Sequence, residues 1–290
     1  LHEKKITVTF PASLNSFGTC FHHNRLNINY EAQLRWFLMI SEITERMLHN
    51  DRENIELHMN VIREWTVGKY RDIQRYLMTT PLLNDSDTSQ LIQNMVQSID
   101  EMQPYLKISQ LFKSNESMFV YRGAAFPKSF RDWHGHICLN DLSKGFLATS
   151  TSYKKAQEFQ NKNGIVYIIE IPGKITHGGP IVDSPKCIPI GVETVHDFDE
   201  TYFRSMSKIH SESEILFPPG SLFSLRHMFT NKNNEVTHIH ILLLHQEPNP
   251  LSEFSRNFWF EDFEEMNISI VQASSPQSFL LQKLQETFKI

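Results

Sequence analysis

An α+β fold is what this sequence predicts, with a helical N-terminal part joined to a strand-built core. Two observations carry that reading. Through about residue 110, apolar side chains recur at spacings of three and four, as on one face of a helix. From Met118 onward the chain turns to short β-prone runs punctuated by glycine and proline. Helices first and strands after them are what an α+β division looks like. With 290 residues, 40% apolar and 21% charged, the chain can bury a sizeable core and is not of disordered type.

Taken in order, Glu31 to Asn50 carries Trp36, Ile40, Ile43 and Met47 on one stripe and predicts a first helix. Glu56 to Met78 is a second, anchored by Leu57, Val61, Trp65, Tyr70, Ile73 and Leu77, with Gly68 weakening any unbroken helix. After Thr79-Thr80-Pro81, Asp87 with Gln90 forms a candidate capping box for a third helix. It carries Leu91, Met95, Ile99 and Met102, and Pro104 is expected to end or kink it. Strands are then expected at Met118 to Tyr121, in the Ser/Thr-rich run from Gly145 to Ser152, and over Gly164 to Pro172. Further strands are expected at Ile215 to Phe217, Leu222 to Leu225 and Val236 to Leu244. A helix is expected over Lys154 to Gln160, a loop from Pro172 to Pro189, and a short C-terminal helix from Phe279 to Phe288. The division this suggests is a helical lobe (1–112), a core (113–248) and a C-terminal extension packing on the core (249–290).

Bulk properties exclude some functions. A net charge of −5 offers no basic footprint for nucleic acid. No apolar run approaches the roughly 20 residues of a membrane-spanning helix, and Ile239 to Leu244 is strand-sized. Cys20, Cys138 and Cys187 are few and scattered, which fits buried thiols or a reducing compartment better than a disulfide framework. The chain begins at Leu1, and the expectation is an excised fragment whose targeting signals are missing.

Three segments carry the chemistry. Glu212-Ser213-Glu214 runs directly into Ile215-Leu216-Phe217 and Pro218-Pro219-Gly220. Carboxylates two apart share one face of an extended strand, and Pro-Pro-Gly then turns the chain. Upstream, Val120-Tyr121-Arg122-Gly123 sets an arginine at a strand end, beside a glycine that permits close backbone approach. Between them lies Gly145-Phe146-Leu147-Ala148-Thr149-Ser150-Thr151-Ser152. His238, His240 and His245 suggest a metal, but alternation with Ile239 and Ile241 explains them as the polar side of a half-buried strand. No metal is expected.

Arginine, then a Ser/Thr strand, then Glu-x-Glu, in that order, resembles the arginine–serine–glutamate class of mono-ADP-ribosyltransferases over residues 116–246. The resemblance implies a split β-sandwich core, NAD as co-substrate, and transfer of ADP-ribose to an arginine of a target protein. It implies that Glu214 stabilises the charge developing on the ribose and that Glu212 aligns the acceptor. Arg122 would pair with the NAD pyrophosphate, with Gly123, Thr149, Ser150 and Phe159 as further cofactor-binding residues. Two frames fit the Ser/Thr strand. The preferred one places Ala148, Thr149 and Ser150 on the family's Ser-Thr-Ser, leaving Ala148 where a serine usually holds the catalytic glutamate. There Ser150 or Ser152 is the candidate replacement; the other frame makes Ser150-Thr151-Ser152 a complete triplet but spoils the spacing to Gly145 and Ala156. Phe159 reads equally as a ring stacking on nicotinamide or as a core phenylalanine. Glu200 to Ser211, with Tyr202 and Phe203, corresponds to the substrate-recognition loop. The helical lobe is expected to select the target rather than take part in chemistry. The resemblance further implies a bacterial effector, secreted and acting in the host cytoplasm on a host protein. A non-catalytic binding module of the same fold and an NAD glycohydrolase are the competing readings.

Overall fold

The computed structural model describes residues 52–79, 86–106, 117–133, 135–160, 164–172, 185–189, 214–231, 235–247, 249–252 and 265–267. The first expected helix, Glu212, the Glu200 to Ser211 loop, Cys20 and the C-terminal helix lie outside these residues, as does most of the Pro172 to Pro189 loop.

The expected second helix is two. Helix α1 (Arg52–Glu64) runs into a π-type turn over Trp65–Lys69, and α2 (Tyr70–Met78) follows. The break centres on Gly68, whose φ of 109° lies in the left-handed region that favours glycine. Helix α3 (Ser86–Leu106) buries Ile92, Met95, Ile99 and Met102. Two details differ from expectation. The helix begins at Ser86, so Asp87 lies in its first turn, where a carboxylate favours the helix dipole, and is not the N-cap. It also continues past Pro104 to Leu106, so the proline does not end the helix.

Among the described residues, ten strands form one mixed sheet. They are β1 (Ser117–Ala124), β2 (Ser129–Trp133), β3 (His136–Leu139), β4 (Leu147–Ser150), β5 (Ile165–Pro172), β6 (Ile188–Pro189), β7 (Glu214–Phe217), β8 (Ser221–Thr230), β9 (Val236–Gln246) and β10 (Glu265–Asn267). Their order is β10-β2-β3-β8-β9-β5-β1-β4-β7-β6. Short helices α4 (Asn140–Ser143) and α5 (Tyr153–Glu158) flank β4. The α+β class therefore holds.

Pairing along the sheet is uneven. β1 pairs with β5 over eight residues, Ser117↔Pro172 to Ala124↔Ile165, but with β4 through the single pair Tyr121↔Ser150. β3 and β8 likewise meet at one pair, Cys138↔Ser224. The sheet therefore has two weak seams, where ladder hydrogen bonding nearly lapses and strands can splay apart. The β1/β4 seam is the one beside Arg122.

The helices are not a separate body. Ile62, Trp65, Ile73, Leu77, Ile92, Met95 and Ile99 share one apolar cluster with Met118, Val120, Leu147, Ile215 and Phe217 of the strands. A smaller cluster of Phe119, Tyr121, Ala156, Val166 and Ile168 joins α5 to β1 and β5. Gly220, at φ 79°, turns β7 into β8 and is held by its N–H on Ser143 O at 2.8 Å.

Candidate active site

Glu214 opens β7 and is buried, 7% exposed, although it is a carboxylate. Such burial is costly unless hydrogen-bond donors compensate. One donor comes from far along the chain: the indole Nε1–H of Trp65 donates to Glu214 Oε1 at 3.1 Å. Trp65 is itself buried, its ring 5.5 Å from that of Phe146 and 6.1 Å from that of Tyr70.

The register sets Ser150 directly across from Glu214, whereas Ala148 faces Leu216. Directly paired residues present their side chains on one face, with Cβ atoms roughly 5 Å apart. Under either frame, then, it is Ser150 and not Ala148 that lies across from the glutamate. The hydroxyls of Thr149, Ser150 and Ser152 divide the local work. Ser150 Oγ accepts from Ser152 N–H at 3.0 Å, and Ser152 Oγ caps α5 by accepting from Lys155 N–H at 3.4 Å. Thr149 Oγ1 donates to Ile215 O at 2.8 Å and so ties β4 to β7.

Arg122 lies one residue past the single β1/β4 pair. Its Nη1 donates to Ala148 O at 2.6 Å, so the side chain spans the seam where the backbone ladder stops. Its Nε is buried and has no hydrogen-bond partner among the described residues. Burial lowers the guanidinium's pKa from its ordinary value, while Tyr167 and then Glu214 act to raise it. A half-buried arginine with a buried, unsatisfied Nε–H is a site able to receive an anionic group.

Gly123 has a visible packing role. A Cβ there would collide with Ala156 O and lie 2.7 Å from Gln160 N and 2.9 Å from Phe159 C. All three are backbone atoms, so the glycine lets the end of α5 rest on β1. Phe159 follows α5 and is 58% exposed, which removes the core reading and leaves its ring in solvent near the Arg122 end of β1. Gly145 makes room for Gln74, whose Nε2–H donates to Phe146 O. The Gly-aromatic pair before β4 thus docks α2.

The histidines have local partners. His238 Nε2 is 2.7 Å from Tyr153 Oη, and His240 Nε2 is 3.0 Å from Glu170 Oε2. Among the described residues no group of three or more His, Cys, Asp or Glu side chains is placed to hold a metal ion. Cys138 and Cys187 are buried free thiols, and burial pushes the Cys138 thiol up to about 12. No helix among the described residues is long and apolar enough to cross a membrane.

The sequence reading assigned Trp65 to the core and missed its contact with Glu214. The available signal was its indole N–H, which needs a partner once buried. Nothing in the sequence says which of many acceptors, 149 residues away, it meets.

No family model matches the sequence, and no curated protein matches it. Solved structures do resemble the fold at low identity. Exoenzyme S from Pseudomonas aeruginosa, bound to carba-NAD and to human 14-3-3 protein beta, is 11% identical, with 74% of this chain and 88% of that chain covered and a TM-score of 0.42. Plx2a, an ADP-ribosyltransferase toxin from Paenibacillus larvae, is 12% identical, covering 71% and 96% at a TM-score of 0.42. An ADP-ribosyltransferase from Clostridium botulinum is 14% identical, covering 70% and 96% at a TM-score of 0.39. Likeness of this size carries no argument about activity.

Proposed function

We propose that the protein is an NAD-dependent mono-ADP-ribosyltransferase that modifies an arginine of a target protein and releases nicotinamide. The observation that carries this reading is a buried carboxylate on β7 and a half-buried arginine on β1, its Nε buried and unsatisfied, on either side of β4. Glu214 is held across from Ser150, and Arg122 retains a buried N–H that no described residue accepts.

In this reading Arg122 takes the pyrophosphate of NAD, whose oxygens match the planar guanidinium. Gly123, Thr149 and Ser150 shape the cleft wall, and Phe159 offers an exposed ring to the positively charged nicotinamide. As the bond from ribose C1′ to the nicotinamide nitrogen breaks, positive charge grows on the sugar, and the Glu214 carboxylate stabilises it. Nicotinamide departs as a neutral ring. The acceptor guanidine then forms a bond from its terminal nitrogen to C1′ and loses a proton. Glu212, two residues before Glu214, grips that guanidinium and receives the proton. We assign target choice to surfaces of the helical segment and to the Glu200 to Ser211 loop, and place the action of the protein in a host cell as a secreted effector.

Incubation with a tagged NAD analogue and a cell lysate, followed by mass-spectrometric mapping, tests this. Label on arginine side chains, lost with Glu214→Gln, is expected. Label confined to other residue types overturns the arginine assignment. Nicotinamide release without labelled protein makes the chain a glycohydrolase, and neither signal leaves a non-catalytic binding module.

A further inference from the structure

We propose that Trp65 is a positioning residue for the chemistry at Glu214, which makes the helical segment part of the reacting site. The inference rests on the reading of Glu214 given above. Its basis is the 3.1 Å bond from the indole Nε1–H to Glu214 Oε1, between side chains that are 4% and 7% exposed. A buried indole needs an acceptor, and any backbone carbonyl would satisfy it. Here it meets one oxygen of the one carboxylate that faces Ser150.

The local structure holds the indole in place. Trp65 is the first residue of the π-type turn that Gly68 breaks at φ 109°, so the helix direction changes right after it. Its ring packs on Phe146, one residue before β4. Nine residues on, Gln74 binds Phe146 O in the space Gly145 leaves open. Two contacts thus lock this helical stretch to the start of β4, the strand that carries Ser150.

The chemistry favours a neutral donor at this point. A lysine or arginine bonded to Glu214 would cancel the negative charge needed beside a developing ribosyl cation. An indole N–H fixes the carboxylate's orientation and leaves its charge in place. Orientation matters because a carboxylate lobe turned away from the sugar loses most of its benefit at the transition state, not in the ground state. The effect of losing Trp65 therefore belongs in kcat rather than in NAD binding.

The test uses the full chain, with nicotinamide release from NAD as the readout and free arginine as a small acceptor. Trp65→Phe removes the N–H, and a second variant replaces Trp65 with benzothienylalanine, an isostere of tryptophan in which sulfur stands for the N–H. The second keeps the ring's volume and so remains informative should Trp65→Phe fold poorly. Expected is a fall in kcat of roughly 10- to 100-fold for the benzothienyl variant, with KM for NAD within about 3-fold, cooperative unfolding retained and a melting temperature only a few degrees lower. Wild-type kcat in a folded benzothienyl variant, while Glu214→Gln is inactive, overturns the role of Trp65 and leaves the proposed function standing. Equal loss through KM alone also overturns it. Turnover by Glu214→Gln equal to that of the wild type overturns the reading of Glu214 and this inference together.

Discussion

Replacing Gly123 with alanine adds a single methyl group, and its cost can be worked out from the atoms it would meet. The new Cβ would sit 2.7 Å from Gln160 N and 2.9 Å from Phe159 C, besides colliding with Ala156 O. Unstrained contacts of this kind lie at about 3.5 Å or more, so the end of α5 must retreat by roughly 1.5 Å to clear Ala156 O. Every atom in the way is backbone, so no rotamer change relieves the clash. Overpacking of this sort costs about 1–3 kcal/mol, and a rigid obstacle points to the upper end. Against this, alanine restricts the unfolded chain and returns about 0.4–1 kcal/mol. The net is a loss of about 2 kcal/mol, or some 4–8 °C in melting temperature for a chain of this size. Denaturant unfolding with matched m-values measures it. A Gly123→Ala variant within about 0.5 kcal/mol of wild type would refute the packing argument. Normal stability combined with weakened NAD binding would instead assign Gly123 to close approach of the nucleotide.

Other perturbations follow from the same geometry. Glu214→Gln should lower nicotinamide release by at least about 100-fold while NAD still binds, because the charge, not the shape, is lost; turnover within a few-fold of wild type would sink its assignment. Arg122→Ala should weaken NAD binding by about 1.5–3 kcal/mol, measured by calorimetry, and unchanged affinity would remove Arg122 from the site. Glu212→Gln should spare slow NAD hydrolysis while arginine modification fails, whereas equal loss of both would deny it the acceptor-aligning role. Cys138 is held protonated by burial, from a usual value of 9.0 up to about 12. Its contribution to stability is therefore complete below about pH 9 and is lost as pH rises toward 12. Iodoacetamide at pH 8 should leave Cys138 unlabelled in the native protein, and rapid labelling there would contradict its burial.

Local signals in the sequence locate most of the sheet's centre. Ile165 to Ile171 is β-branched and buried over nearly its whole length, so β5 reads as a strand without ambiguity. Pro218-Pro219-Gly220 marks the β7–β8 turn, and Gly68 marks the helix break, because in each case a glycine adopts positive φ. The short strands β2, β3 and β6 escape such reading. Ser129-Phe130-Arg131-Asp132-Trp133 shows no clean alternation, since Arg131 is as buried as its apolar neighbours. The site is legible in its residue types but not in its pairings. That Ser150 rather than Ala148 faces Glu214 depends on register between β4 and β7, more than sixty positions apart in sequence. The meeting of Trp65 with Glu214 depends on how helices pack on the sheet, for which the local pattern holds no record.

Nicotinamide release from NAD by the full chain, compared with that of Glu214→Gln under identical conditions, tests the central claim most directly. The wild type should release nicotinamide and leave ADP-ribose on added arginine or on protein, and Glu214→Gln should do neither while unfolding at the same temperature. A wild-type protein that binds no NAD and releases no nicotinamide, with or without arginine, would contradict the account.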